Sequence, residues 1–151
     1  MPFAFETVFS HWKKLPDGSH ESKADIIKTL QDAGYFVVLL FVGLASVQLS
    51  ILRVETRRRQ GGHGVPLPKL VSRFPRTQLA VGNAAPLADM TLMFDNSRDA
   101  GKAFALVRAQ RGKRVLFDCR DKQYRVDKSL RAVSAIWLDR VATRAGSQQL
   151  N

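Results

Sequence analysis

The chain reads as an α/β protein with parallel strands, followed by a short β-hairpin and a closing C-terminal helix. Three observations predict this. An uninterrupted apolar run, Tyr35-Phe-Val-Val-Leu-Leu-Phe-Val-Gly-Leu44, has the length and β-branched content of a buried parallel strand and leads directly into a basic helical segment. A short apolar stretch, Phe3-Ala-Phe-Glu6, then a helical stripe, then that run follow within some forty residues. That is the spacing of a βαβ unit, which forces parallel strands and a right-handed crossover. A third apolar run, Met90-Thr-Leu-Met-Phe-Asp95, again ends on a polar tip.

Taken in order, Phe3 to Glu6 is expected to be the end of a strand with Glu6 and Thr7 at its tip. Pro16, Asp17, Gly18 and Ser19 form a turn cluster within Trp12 to Ser22. From Ser22 to Ala33, Ile26, Ile27 and Leu30 lie on one helical stripe, and Gly34 supplies the stop. Tyr35 to Val42 is the second strand, and Ala45 to Gln60 the next helix, ended by Gly61 and Gly62. Pro66 opens another helix to about Leu79, ahead of the Met90 to Asp95 strand. Ala100 to Gln110 is compatible with a helix, and Arg114 to Asp118 with Gln123 to Val126 suggest a hairpin around Arg120 to Lys122. Leu130, Val133, Ile136, Trp137 and Val141 give a closing amphipathic helix, with a frayed tail expected from Ala145 to Asn151. No internal repeat or low-complexity segment interrupts the chain.

A chain of 151 residues with 45% apolar and 25% charged residues is one globular domain's worth of sequence. Its net charge of +11 is unevenly spread: residues 1–52 sum to −1 and 77–97 to −2, whereas 53–76 carry +6 and 98–144 carry +8. Such blocks attract phosphate-rich partners. A single cysteine, Cys119, excludes an intramolecular disulfide framework, and with no zinc spacing or nucleophile motif around it reads as a structural thiol. Residues 35–52 carry no formal charge, near the lower limit of a membrane span, but Gly43 divides them and Ser46, Gln48 and Ser50 dilute the second half. A strand feeding a helix accounts for them better. The N-terminus lacks the regions of a signal peptide, so the expected location is cytoplasmic.

In an open α/β sheet ligands gather outside the carboxyl ends of the strands. The polar strand ends are Glu6 with Thr7, the chain from Gly43 onward, and Asp95 with Asn96 and Ser97. A carboxylate, hydroxyl and amide there suit a hydroxylated substrate or a metal-bound phosphate, although Asp95, Asn96 and Ser97 also have the chemistry of turn and helix caps. Arg53 and Arg57, spaced i,i+4, share a helix face, a pairing suited to phosphate oxygens as well as to a solvated basic face. Gly61 and Gly62 then form a joint, and His63 lies near the helix start at Pro66, where backbone N–H groups favour anions. The sequence of parts from 53 to 76 describes a hinged, phosphate-clamping lid. No G-x-x-x-x-G-K-[ST] loop occurs anywhere in the chain.

The segments Phe3-Ala-Phe-Glu-Thr-Val-Phe-Ser-His11, Gly34-Tyr35, Phe41-Val-Gly-Leu44, Arg53-x-x-x-Arg57, Gly61-Gly-His-Gly-Val-Pro66, Arg73-Phe-Pro-Arg76 and Phe94-Asp-Asn-Ser97 together resemble the zeta-toxin-like P-loop kinases, in order and without large gaps from residue 3 to about 97. The resemblance implies a partial P-loop kinase-like three-layer sandwich over residues 1–97, with a lid at 53–76, and a basic extension over 98–151. It further implies an ATP- and magnesium-dependent phosphotransferase acting on a small-molecule phosphate acceptor; toxin members phosphorylate the sugar of UDP-N-acetylglucosamine. By position Arg53 would contact ATP phosphates with Arg57 in support, Glu6 and Thr7 would line the substrate pocket, and His63 stands where toxin members place a second phosphate-binding arginine. The family's phosphate loop, its lysine and a catalytic aspartate precede the part that matches, and none has an equivalent here. The chain is therefore expected to be catalytically incomplete alone, with no catalytic residue assigned.

The competing reading is a basic nucleic-acid-binding protein, supported by thirteen Lys and Arg between Arg98 and Arg144 but by no helix-turn-helix, aromatic RNA-binding strand or finger motif. A sheet without its first βα unit leaves an open edge at Phe3 to Phe5 or Tyr35 to Val42. Self-association, or an N-terminal half encoded separately, follows as an expectation.

Overall fold

The computed structural model describes residues 1–142. Its first element is a hairpin of β1 (Trp12–Lys14) and β2 (His20–Ser22), closed over the Pro16 to Ser19 cluster where Gly18 takes φ +85° and Ser19 donates its N–H and Oγ–H to Asp17. Phe3 to Glu6 is not a strand: it has no ladder partner and no regular structure, and Phe3 instead meets Tyr35 edge-on at 5.3 Å. Three apolar residues without a neighbour to bond cannot hold a strand.

Helix α1 (Asp25–Asp32) is shorter than the Ser22 to Ala33 span because Ser22 and Asp25 cap it, Ser22 Oγ accepting from the Ala24 N–H and Asp25 from the Ser22 N–H. Of the stripe Ile26, Ile27 and Leu30, only Ile27 is buried. Gly34 at φ +83° turns the chain. Strand β3 (Val38–Gly43) follows, then α2 (Val47–Arg59), capped by Ser46, then α3 (Leu67–Ala84). Strand β4 (Met90–Asp95) occupies the predicted residues and lies parallel to β3, Val38 opposite Met90 through Gly43 opposite Asp95. The parallel pair is thus built by a strand, two helices and a strand, not by the βαβ unit read from Phe3.

Beyond residue 97 the pattern differs. Only Ala100–Lys102 winds, as a single 3-10 turn, and Ala105–Arg111 is strand β5, antiparallel to β4. The Ala, Leu, Arg and Gln of this stretch suit a helix, but pairing with the free side of β4 overrides that preference. Arg114–Asp118 is strand β6, joined to β5 by the two-residue turn Gly112 and Lys113 with Gly112 at φ +53°. It does not pair with Gln123 to Val126, which is irregular and supplies Tyr124 to pack edge-on against Phe117. Helix α4 (Lys128–Val141) closes the described chain; Leu130, Trp137 and Val141 are buried as expected, Leu138 joins them, and Ile136 stays half exposed. The tail expected to fray from Ala145 lies outside the described residues.

The result is a mixed α/β fold: a four-stranded sheet in the order β3-β4-β5-β6 with one parallel pair, a separate two-stranded hairpin, and four α-helices. One sheet face is covered. Met93, Val107 and Cys119 pack against Val81 and Ala85 of α3 and Leu130, Trp137 and Leu138 of α4, while Ala24 and Ile27 beside α1 meet Ala84, Ala88 and Leu39. The opposite face, carrying Val38, Leu40 and Val42, is left without a covering helix among the described residues, so the third layer of a sandwich is missing. No helix of the described residues is long and apolar enough to cross a membrane; residues 35–52 are divided between β3 and α2.

Candidate functional site

The carboxyl ends of the parallel strands are welded together by short polar bonds. Asn96 donates its N–H to the Gly43 carbonyl at 3.0 Å, and Ala45 donates its N–H to Ser97 Oγ at 2.9 Å. Asp95 is fully buried: Oδ1 accepts from the Ser97 N–H, and Oδ2 from Ser97 Oγ–H and from Trp137 Nε1–H at 2.7 Å. Both oxygens are therefore engaged, and Asp95 acts as a turn cap and anchor for α4. Gly43 is required here, because a Cβ would lie 2.4 Å from the Trp137 ring.

Arg53 projects from α2 back onto this junction, donating from Nη2 to the Asn96 and Arg98 carbonyls at 2.9 and 3.4 Å. It ties α2 to the strand ends, a structural employment that its place in a phosphate-clamping pattern did not suggest. Asn96 Oδ1 and Arg98 Nε are buried beside it with no hydrogen-bond partner among the described residues. Arg57, one turn further along α2, is exposed and unpaired, as are Arg58 and Arg59. The stop after α2 forms where its glycines predict, with Gly61 at φ +90° and Gly62 N–H donating to the Arg57 carbonyl at 2.8 Å. A Cβ on Gly62 would meet that carbonyl at 2.9 Å. His63 is exposed, four positions before α3 begins at Leu67, and makes no bond among the described residues.

Between the end of β3 and the α2–α3 pair opens a cleft of about 170 Å³, walled by Phe41, Leu44, Leu70 and Phe74. Its polar lining includes Arg73, Thr77 and Gln78. Arg73 has no ion-pair partner, and Gln78, only 6% exposed, has no hydrogen-bond partner among the described residues. Arg73 is half-buried and, with the Gln78 amide, lines the same cleft, where a ligand or water can reach both. Arg73 was present in the sequence as part of Arg73-Phe-Pro-Arg76, but nothing in the pattern separated it from Arg76, which turns back to Ser72 of its own helix.

Glu6 and Thr7 are exposed on the irregular N-terminal segment and make no hydrogen bond or ion pair among the described residues. They are not at a strand end, since no strand forms there. The site that does assemble joins the carboxyl end of β3 to Ser50 of α2 and to Arg73, Thr77 and Gln78 of α3. Among the described residues no group of three His, Cys, Asp or Glu side chains is arranged to hold a metal ion.

A second polar cluster was invisible to sequence reading. Asp118, 1% exposed, takes Arg120 through two parallel bonds of 2.9 and 2.6 Å, and Arg108 through Nη1; Arg120 reaches on to Asp139 at 2.8 Å, and Arg108 Nε donates to Gln110. Burial pushes the Asp118 carboxyl up, but the Arg120 bonds and both guanidinium charges outweigh it and hold it below the usual carboxylate value. Arg131 is likewise consumed, donating to the carbonyls of Cys119, Asp121 and Tyr124. Part of the basic block at 98–144 is thus spent inside the fold. No protein-family model, curated protein or solved structure matches the chain.

Proposed function

We propose that this chain is the lid-bearing part of a zeta-toxin-like phosphotransferase, which binds the phosphates of a nucleotide and lacks the phosphate loop needed for turnover alone. The observation that carries the reading is the cleft at the carboxyl end of parallel strand β3, lined by Gln78 and by Arg73, which has no ion-pair partner among the described residues, with the basic end of α2 leading into the turn at Gly61 and Gly62. Guanidinium groups held beside an apolar wall bind phosphate oxygens by charge-assisted bonds that water competes with poorly. Arg57 and His63 extend this basic surface along that turn.

Arg53 then serves as a positioning residue, fixing the angle of α2 through the Asn96 and Arg98 carbonyls. Magnesium carried by a nucleotide finds no open carboxylate at Asp95, whose two oxygens are already engaged. This chain is accordingly read as a ligand of the phosphates and not of the metal. The acceptor of the phosphoryl group is a small molecule by the same resemblance.

Calorimetric titration with ATP and magnesium tests the proposal. Binding is expected, weakened about tenfold or more by Arg73→Ala and by Arg57→Ala, the loss typical of one charge-assisted bond. No heat at millimolar nucleotide, or equal affinity in both variants, would overturn it.

A further inference from the structure

Strand β3 ends the sheet, and only its β4 side is bonded. The Val37 carbonyl accepts from the Met90 N–H and the Gly43 carbonyl from the Asn96 N–H, so odd-numbered residues face β4. By the two-residue alternation of a strand, Val38, Leu40 and Val42 aim their N–H and C=O groups at the open edge, where no backbone group of the described residues meets them. The side chains of these same residues stand on the bare face, 48%, 63% and 43% exposed. Phe36 at 60% and Leu106 at 39%, the latter opposite Phe94, continue the patch. With half-buried Met90, Leu92 and Phe94 it comprises on the order of 500 Å² of apolar surface, at the upper end of what one monomer exposes.

We propose that this edge is the interface of a two-fold dimer in which β3 pairs antiparallel with β3 of a second copy, Leu40 opposite Leu40 and Val38 opposite Val42. That register makes the Leu40–Leu40 and both Val38–Val42 pairs hydrogen-bonded ones, each exchanging both backbone bonds, and runs the two sheets together into one. It also sets the two rows of Val38, Leu40 and Val42 side chains against each other on the same face.

Charge selects the occupant. Each copy carries +11, yet residues 35–52 hold no formal charge, so two copies can meet along this strand without bringing like charges into the seam. An acidic partner would gain nothing here and would be drawn to the α2–α3 hairpin instead. Edge pairing brings only the β3 strands into contact and leaves the side chains of β4 and β5 exposed, so the seam is smaller than interfaces of standard size and association is weak, with a dissociation constant on the order of tens of micromolar. The inference shares only Val42 with the cleft and uses none of its polar residues, so Leu40 variants test it apart from phosphate binding.

Sedimentation equilibrium from about 1 to 200 μM provides the test. The wild-type chain is expected to pass from monomer to dimer over this range. Leu40→Lys places two charges at the two-fold axis, and Leu40→Pro removes an outward N–H while sparing every bond to β4. Both should remain monomeric with an unchanged far-UV spectrum, whereas Leu52→Lys, at a 58% exposed position on α2, should dimerise like the wild type. A wild-type monomer throughout, a dimer that survives both Leu40 variants, or one dispersed equally by Leu52→Lys would overturn the proposal.

Discussion

Asp118 is the residue on which the second half of the chain depends. It is buried between Arg108 and Arg120, and removing its charge takes away the carboxylate that both buried guanidinium groups share. Asp118→Asn should therefore cost about 3–5 kcal/mol in urea denaturation, the range for breaking a buried pair from one side. Because the folded carboxyl titrates below its unfolded value of about 3.9, its contribution is complete above that pH and is lost as pH falls through the lower, folded value. Urea midpoints measured from pH 5 to pH 2 should fall in the wild type and fall less steeply in Asp118→Asn. Next to it, Cys119 is fully buried with its Sγ 3.1 Å from Ser134 Oγ, and burial pushes the thiol up against the opposing Ser134 bond. A thiol reagent at pH 8 should leave the native chain almost unlabelled and react with one thiol in urea. Cys119 was legible as structural from its lack of companions. Asp118 was not, because an Asp beside basic residues has the same sequence signature whether it lies in the core or in solvent.

At the scale of elements, the junction of β3, β4, α2 and α4 is the part that tolerates least. Gly43 gives up its side chain so that Trp137 can cross the strand end and donate to Asp95. Gly43→Ala forces the indole or the strand to move, an overpacking cost of roughly 1–3 kcal/mol that thermal unfolding would register. Trp137→Phe keeps most of the packing but leaves Asp95 with one fewer donor, and should destabilise by about 1–3 kcal/mol. A neutral result for both would mean that the junction is loose. The apolar run ending at Gly43 and the Met90 to Asp95 run were readable as strands, but β3 is not the buried strand its run suggests: it lies at the sheet edge with Val38, Leu40 and Val42 exposed, because no helix of the described residues covers that face. Strand β5 was not readable: Leu106, Arg108 and Gln110 alternate with Val107 and Ala109, and a bulge between Met93 and Phe94 breaks the register that alternation would reveal.

For the whole molecule, the consequence of placing α1, α3 and α4 on one side is a gradient of protection across the sheet. Strands β4 and β5 are bonded on both sides, β3 and β6 on one, and the β1–β2 hairpin stands apart from the main sheet. Amide hydrogen exchange should be slowest in β4 and β5 and fastest in β1 and β2, with intermediate rates in β3 at low protein concentration. If β3 pairs with a second copy, the amides of Val38, Leu40 and Val42 should become slower as concentration rises, and those of β6 should not. The charge of the molecule is also redistributed by folding. Arg108 and Arg120 are buried in ion pairs and Arg131 donates to backbone carbonyls, so part of the basic block beyond residue 97 is withdrawn from the surface, while Lys102, Arg111, Lys113 and Arg114 stay exposed as outward basic residues in addition to the basic end of α2.

The sequence by itself determined the local units: the apolar strands that end at Gly43 and Asp95, the basic α2 with its glycine stop and the closing helix around Trp137. Each follows from residues within one segment, since periodicity, caps and backbone freedom act over a few positions. Only the tertiary structure decided that Phe3 to Glu6 has no strand to join, that Ala105 to Arg111 pairs with β4, and that Arg53 and Arg108 are held by partners 43 and 10 positions away respectively. Those outcomes depend on which surfaces meet when the chain closes, and a charged or apolar side chain carries no local mark of the partner it will find.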